Sequence, residues 1–184
     1  MEIKITDTIK YIGTNDYDLD LFESQYIVPN GMAYNSFLIQ DEKSAVMAAA
    51  DKRKIDEWLE NIEKELGETA PAYLVLQHLE PDHTGSVAAF CEKYPEAKLV
   101  MGDRAAGMFH QFANVENEIV VVKNGEELSL GAHTLRFTAA PMVHWPEVMM
   151  CYETSEKVLF SADAFGKFGT LDTDEDWACE ARRY

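Results

Sequence analysis

The sequence predicts an α/β (α+β) fold in which two β-sheets pack as a sandwich flanked by helices. The order of the patterns indicates this: strands and helices are interspersed in the first part of the chain, and a strand-rich part follows residue 118. A helix predicted over 51–66 is the second indication, because its apolar residues recur at helical spacing and form one stripe. We assign this stripe to the core: Ile55, Trp58, Leu59, Ile62 and Leu66.

The other elements are predicted from local patterns, between turn signals such as Pro29-Asn30-Gly31 and Asn124-Gly125. The predicted strands cover residues 2–12, 21–28, 33–39, 45–49, 72–76, 98–101, 119–122, 128–130, 134–137, 148–152 and 157–160. The further predicted helices cover 86–94, 103–112 and a segment from Thr173 to Tyr184. Two histidines are expected at the surface, His110 on a helix and His133 at a hairpin turn.

Composition and charge narrow the function classes. The 184 residues are interpreted as one domain with a core of its own. A net charge of −17, from 16 basic against 33 acidic residues, argues against nucleic acid and anionic membranes as partners. No apolar run approaches the ~20 residues of a membrane helix, and residues 1–5 lack signal-peptide character. We therefore expect a cytoplasmic protein, with three unpaired cysteines: Cys91, Cys151 and Cys179.

Residues 77–85 contain the densest group of potential metal ligands in the chain, four residues in the pattern H-x-E-x-D-H. They lie between a predicted strand and a predicted helix, a frequent location for functional side chains. If the loop is extended, His78, Glu80 and Asp82 point to one side and His83 to the other, so that it could serve two metal ions. In the alternative interpretation Asp82 or Thr84 caps the next helix. The metal hypothesis is favoured, because such crowding is repulsive without a cation.

Two later segments extend the pattern. His144 lies in residues 141–147 and Asp163 in residues 159–166, and each segment follows an apolar strand-like run. Either residue alone is a weak signal, since a single histidine after a strand is more often structural. Together with the first cluster they form the order H-x-E-x-D-H … H … D, which is specific.

This pattern resembles the β-lactamase-like domain of flavodiiron proteins, the flavoproteins that reduce oxygen and nitric oxide. The similarity extends over nearly the whole chain, with further matching stretches at 29–36, 78–86, 141–147 and 160–169. It implies a metallo-β-lactamase-like αββα sandwich over residues 1–184, incomplete at the C-terminal end. Zinc hydrolases of the wider superfamily usually carry histidine where this chain has Glu80. The oxygen donor makes the site more suitable for iron or manganese than for zinc.

The resemblance also implies the cofactors and ligands. Two non-haem irons are expected, one bound by His78, Glu80 and His144, the other by Asp82 and His83, with Asp163 bridging both. In the family a last histidine comes from a later loop, so the second iron is expected to bind more weakly here. Electrons for reducing O2 or NO are expected from FMN on a flavodoxin-like domain or a flavoprotein donor. A head-to-tail homodimer is expected in the whole protein.

Two alternatives stay open at this point. One is a dinuclear zinc hydrolase whose nucleophile is a bridging hydroxide, against which Glu80 argues. The other is a catalytically silent fragment that needs a partner chain. Trp145 and Phe165 flank predicted ligands, and ordinary core packing is the favoured interpretation of both.

Overall fold

The computed structural model describes residues 5–171. A mixed six-stranded sheet in the order β1-β6-β7-β8-β9-β10 faces an antiparallel four-stranded sheet in the order β11-β12-β13-β14. The strands of the first sheet are β1 (Ile9–Tyr11), β6 (Phe37–Ile39), β7 (Ala45–Met47), β8 (Tyr73–Val75), β9 (Lys98–Gly102) and β10 (Ile119–Val122). Those of the second are β11 (Glu127–Ser129), β12 (Thr134–Ala139), β13 (Met149–Glu153) and β14 (Val158–Phe160).

Two small strand pairs and a layer of helices complete the described fold. The pairs join β2 (Thr14–Asp16) to β5 (Met32–Tyr34) and β3 (Leu21–Phe22) to β4 (Tyr26–Ile27). The helices are α1 (Ile55–Leu66), α2 (Pro81–Thr84), α3 (Val87–Lys93) and α4 (Asp103–Met108), with 3-10 turns at Lys52–Lys54 and Phe109–Gln111. Within residues 5–171, none of these helices has both the length and the apolar character that a membrane span needs.

The two sheet faces bury two separate cores. The first joins the helices to the six-stranded sheet and contains Trp58 and Ile62 of α1 and Phe90 of α3, all fully buried. The second lies between the sheets and contains Val75 and Val100 on one side. Its other side is formed by Leu135, Phe137 and Cys151 of the four-stranded sheet. The three layers confirm the predicted sandwich, and the apolar stripe predicted on residues 51–66 faces the core at Trp58 and Ile62.

Several predictions need correction. The strand predicted over 21–28 is instead the β3–β4 hairpin, and the strand predicted over 33–39 is divided into β5 and β6. The ligand loop is not extended, because residues 81–84 form the short helix α2. The helix predicted from Thr173 lies outside the described residues.

His133 is buried, not exposed as predicted, with 5% of its surface accessible. Its Nδ1 lies 2.8 Å from Oδ2 of Asp41, which also accepts a hydrogen bond from the His133 backbone N–H. Its Nε2 lies 3.0 Å from the hydroxyl of Thr8. Asp41 lies in the loop between β6 and β7, so this contact joins the two sheets at the end opposite the predicted ligands.

Candidate metal centre

All six predicted ligands lie at one end of the sandwich, on three loops. His78, Glu80, Asp82 and His83 follow β8, His144 lies between β12 and β13, and Asp163 follows β14. These strands end or begin at the same edge of the two sheets. The backbone therefore brings together residues that are far apart in the sequence.

The turn after β8 is shaped by two local features. Pro81 occupies the first position of α2, where its fixed φ fits and its lack of an N–H costs nothing. Gly85 closes the turn against the start of the α1 segment. A Cβ atom there would lie 2.5 Å from the Lys52 backbone nitrogen and 2.8 Å from the Pro81 oxygen. Only glycine permits this approach, which brings the end of α2 against the segment before α1.

The first group of ligands converges on one point. His78, Glu80, His144 and Asp163 each offer one atom, and these four atoms lie within 4.8 Å of one another. Oε2 of Glu80 is 3.1 Å from Nε2 of His78 and 3.0 Å from Nε2 of His144. The two Nε2 atoms are 3.3 Å apart. Two nitrogens and two carboxylate oxygens form a mixed donor set that suits a first-row transition metal.

Asp163 faces two groups at once. Its Oδ2 lies 3.1 Å from Nε2 of His144 and 3.3 Å from Nε2 of His78. Its Oδ1 lies 2.6 Å from Nε2 of His83, which is itself 3.5 Å from Oδ2 of Asp82. The Asp163 carboxylate therefore directs one oxygen at His78 and His144 and the other at His83, as a group that bridges two cations requires.

The pKa values within the cluster shift in both directions. Burial, followed by the neighbouring carboxyls of Glu23 and Asp82, raises the pKa of Glu80 to about 8. Burial opposes protonation of His83, but Asp82 and Asp163 outweigh it and raise its pKa to about 9. Burial also opposes ionisation of Asp163, yet the hydrogen bond and charge of His83 lower its pKa to about 2. So many acidic groups in one small volume repel one another, and bound cations would offset this repulsion.

A buried polar atom supports the same conclusion. Oδ1 of Asp82 is buried and has no hydrogen-bond partner among residues 5–171. A buried carboxylate oxygen without a partner is costly, and a metal ion would satisfy it. The residues present therefore fit a metal ion at the first group, and Asp82 and His83 lie beside it without joining the four converging atoms.

Trp145 and Phe165, for which core packing was predicted, lie elsewhere. The indole of Trp145 stands edge-on to the His78 ring, with centroids 5.2 Å apart and an interplanar angle of 88°. It therefore lines the cluster. Phe165 is 81% exposed, so for this residue core packing was wrong.

The backbone beside the ligands adopts unusual conformations. Met142, Ala162 and Phe165 have φ values of 65°, 51° and 69°, in the left-handed region that side chains other than glycine seldom adopt. Each lies close in sequence to His144 or Asp163. Left-handed residues cost roughly 1–3 kcal/mol each and concentrate at functional sites. Here these residues lie in the two loops that supply His144 and Asp163.

Sequence reasoning overlooked Gln77 and Glu147. Nε2 of Gln77 donates a 2.7 Å hydrogen bond to the Phe160 carbonyl, just ahead of Asp163. Oε1 of Glu147 lies 2.7 Å from Nδ1 of His78 and accepts a 3.0 Å hydrogen bond from the Leu79 N–H. The sequence does contain a signal for Glu147. It is a charged residue directly before an apolar strand, where burial is expected.

Comparison with known proteins finds relatives of this chain. The family model described as "ODP family beta lactamase" matches residues 32–183. An anaerobic nitric oxide reductase flavorubredoxin of Aliivibrio salmonicida is 35% identical over 173 residues, which cover 91% of this chain and 34% of that protein. A diflavin flavoprotein A 1 of Synechocystis is 32% identical over 163 residues, covering 88% of this chain and 28% of that protein.

Two solved structures have the same fold. The rubredoxin oxygen:oxidoreductase of Desulfovibrio gigas superposes with a TM-score of 0.89 and 31% identity, over 100% of this chain and 47% of that one. The flavodiiron protein of Giardia intestinalis superposes with a TM-score of 0.88 and 26% identity, over 98% of this chain and 44% of that one. The chain thus spans about a third of the length of the curated relatives named above.

Proposed function

Since the chain belongs to the ODP family of beta-lactamase-like domains, we propose that it forms the diiron domain of a flavin-dependent oxidoreductase that reduces O2 to water or NO to N2O. The observation that carries the proposal is Asp163, whose two oxygens face two separate ligand groups. The names of the relatives support the substrates: one is a nitric oxide reductase and one an oxygen oxidoreductase.

The proposed ligands divide into two sets around Asp163. His78, Glu80 and His144 would bind one iron, while Asp82 and His83 would bind the other. Bound iron would supply the redox chemistry and open positions for O2 or NO. The protein orients the imidazoles and carboxylates, and Trp145 packs edge-on against the ring of His78.

Electrons are proposed to come from FMN on a flavodoxin-like domain or on a separate flavoprotein. Two of the relatives carry a flavin in their names, flavorubredoxin and diflavin flavoprotein. In a homodimer, the flavin of one subunit would face the metal centre of the other. The cytoplasm is the proposed location.

The first test is the metal content of the chain produced in iron-rich medium without oxygen. We expect two irons per chain when iron is in excess, and an Asp163→Ala variant that loses most of both. Binding of zinc in preference to iron would favour the hydrolase alternative, and a wild-type chain that binds no transition metal would overturn the proposal.

The second test addresses the electron supply. The iron-loaded chain is mixed with O2 or NO, first with a chemical reductant alone and then with a reduced flavodoxin-like protein. We expect slow turnover in the first case and acceleration in the second. Fast multiple turnover without any flavoprotein would contradict the proposed partner, and no turnover in either case would favour the catalytically silent alternative.

A further inference from the structure

We propose that Glu147 is a positioning residue that fixes the tautomer and orientation of His78 and thereby controls metal binding. The inference rests on the proposed function in one respect, because it takes His78 as a ligand. Glu147 is not one of the proposed ligands, and its carboxylate contacts the ring nitrogen of His78 that faces away from the cluster.

The geometry supports a specific interaction. Oε1 of Glu147 lies 2.7 Å from Nδ1 of His78, and the side chains of both residues have no accessible surface. The same oxygen accepts a hydrogen bond from the Leu79 N–H at 3.0 Å. A carboxylate oxygen in this position accepts a hydrogen bond from Nδ1–H of the imidazole. Nε2 is then left with its lone pair directed at Glu80 and His144.

Burial of the Glu147 carboxylate is energetically unfavourable, which argues against a purely structural role for this residue. Oε2 of Glu147 is buried and has no hydrogen-bond partner among residues 5–171. A buried carboxylate with one unsatisfied oxygen is less favourable than an amide or an apolar side chain of the same size. What the carboxylate adds is a strong acceptor for Nδ1–H, which makes the imidazole a better electron donor through Nε2.

Glu147 also joins two of the ligand loops. It lies shortly after His144 in the sequence, and its oxygen contacts His78 and Leu79 in the loop after β8. A backbone hydrogen bond from Met149 to the Gln77 carbonyl, 2.9 Å long, continues this connection. Removal of the carboxylate therefore frees the His78 ring and loosens the loop that carries His144.

The test compares three variants of the full chain by competition with a metal chelator under anaerobic conditions. Glu147→Leu removes the acceptor, and we expect metal affinity to fall about 10–100-fold. Glu147→Gln keeps an acceptor oxygen, so its loss should be less than tenfold. Glu153→Gln is the matched control: Glu153 is also fully buried and accepts backbone hydrogen bonds, from Ser155 and Glu156, at the far end of β13. We expect it to bind metal as tightly as wild type.

A second measurement reports directly on the Nδ1–H of His78. In the protein loaded with Co²⁺, the Nδ1–H proton of His78 should give a paramagnetically shifted NMR signal that exchanges slowly with D2O, because the side chain is buried. The signal should persist in Glu153→Gln and disappear in Glu147→Leu. If wild type binds metal but the Glu147 variants bind equally tightly and keep this signal, the inference is wrong. If wild type binds no metal, the proposed function itself fails.

Discussion

Asp163 shows how a single side chain organises the centre. Its Oδ1 lies 2.6 Å from Nε2 of His83 and its Oδ2 lies 3.1 Å from Nε2 of His144. Every other proposed ligand serves one group only. Substitutions at Asp163 and at Asp82 should therefore have different effects on metal stoichiometry.

We expect Asp82→Ala to lower the metal content from two ions to about one, because it removes a ligand from the second position only. Asp163→Ala should lower the affinity of both positions by an order of magnitude or more. Elemental analysis after gel filtration measures both variants against wild type. Equal stoichiometry in the two variants would contradict a bridging role for Asp163.

A second residue-level prediction concerns stability. Nε1 of Trp58 donates a 2.9 Å hydrogen bond to Oγ of Ser36, which in turn donates a 2.7 Å bond to the Ala48 carbonyl. Ser36→Ala leaves the buried indole N–H without its acceptor and should lower the free energy of unfolding by about 1–3 kcal/mol. Urea titration measures this loss.

The double variant Ser36→Ala/Trp58→Phe tests the cause of that loss. A phenylalanine ring in place of the Trp58 indole has no N–H to satisfy. The loss of unfolding free energy in the double variant should therefore be smaller than the sum of the losses in Ser36→Ala and Trp58→Phe. Fully additive losses would show that the hydrogen bond contributes little and that packing dominates.

A contact between two loops joins the sheets at the end away from the metal centre. The loop between β6 and β7 carries Asp41, which accepts hydrogen bonds from the backbone N–H groups of Glu42, Ala132 and His133 and contacts the His133 ring. Burial opposes ionisation of Asp41, but these hydrogen bonds outweigh it and lower its pKa to about 2.

The depressed pKa of Asp41 predicts a pH dependence with a definite sign. A carboxyl whose folded pKa lies below its unfolded value contributes stability above the unfolded value of about 3.9. This contribution is lost as the pH falls from the unfolded value through the folded pKa of about 2. Asp41→Asn should therefore destabilise the protein at neutral pH by about 1–3 kcal/mol, and by progressively less in acid.

The measurement is the difference in unfolding free energy between wild type and Asp41→Asn, followed from neutral pH down to about the folded pKa of Asp41. Taking the difference cancels the contribution of titrating groups that do not interact with Asp41. A difference that stays constant with pH would show that the amide's geometry, not the lost charge, causes the destabilisation.

For the molecule as a whole, the proposed metals connect parts of the chain that are distant in sequence. The ligands run from His78 to Asp163 and lie on loops that extend from both sheets, and the chain carries a net charge of −17 that bound cations would partly neutralise. Because metal binds the folded state selectively, it should raise stability by about 2.7 kcal/mol at a free metal concentration of roughly 100 times Kd.

Calorimetry with and without Fe²⁺ under anaerobic conditions tests this linkage. We expect a higher melting temperature with iron, reversed by a chelator, and a much smaller shift in His144→Ala. The same melting temperature with and without bound metal would contradict a site that joins the two sheets.

Local patterns in the sequence were enough to predict the helix over 51–66 and the family. The apolar stripe on 51–66 is a consequence of helical periodicity, and its Trp58 and Ile62 are fully buried. The order of histidines and carboxylates that begins at His78 predicted the family, which the comparison confirms. These features depend on short-range spacing and on the chemistry of side chains, both of which can be read without the fold.

The remaining features depended on contacts between distant segments. The turn at 81–84 is helical, and Gly85 at its end packs closely against Lys52, a contact that the loop's own residues do not show. His133 is buried because Asp41 approaches it from another loop. Glu147 contacts His78 across 69 positions. Only the tertiary structure decides such pairs, because burial and hydrogen bonding are set by which segments the folded sheets bring together.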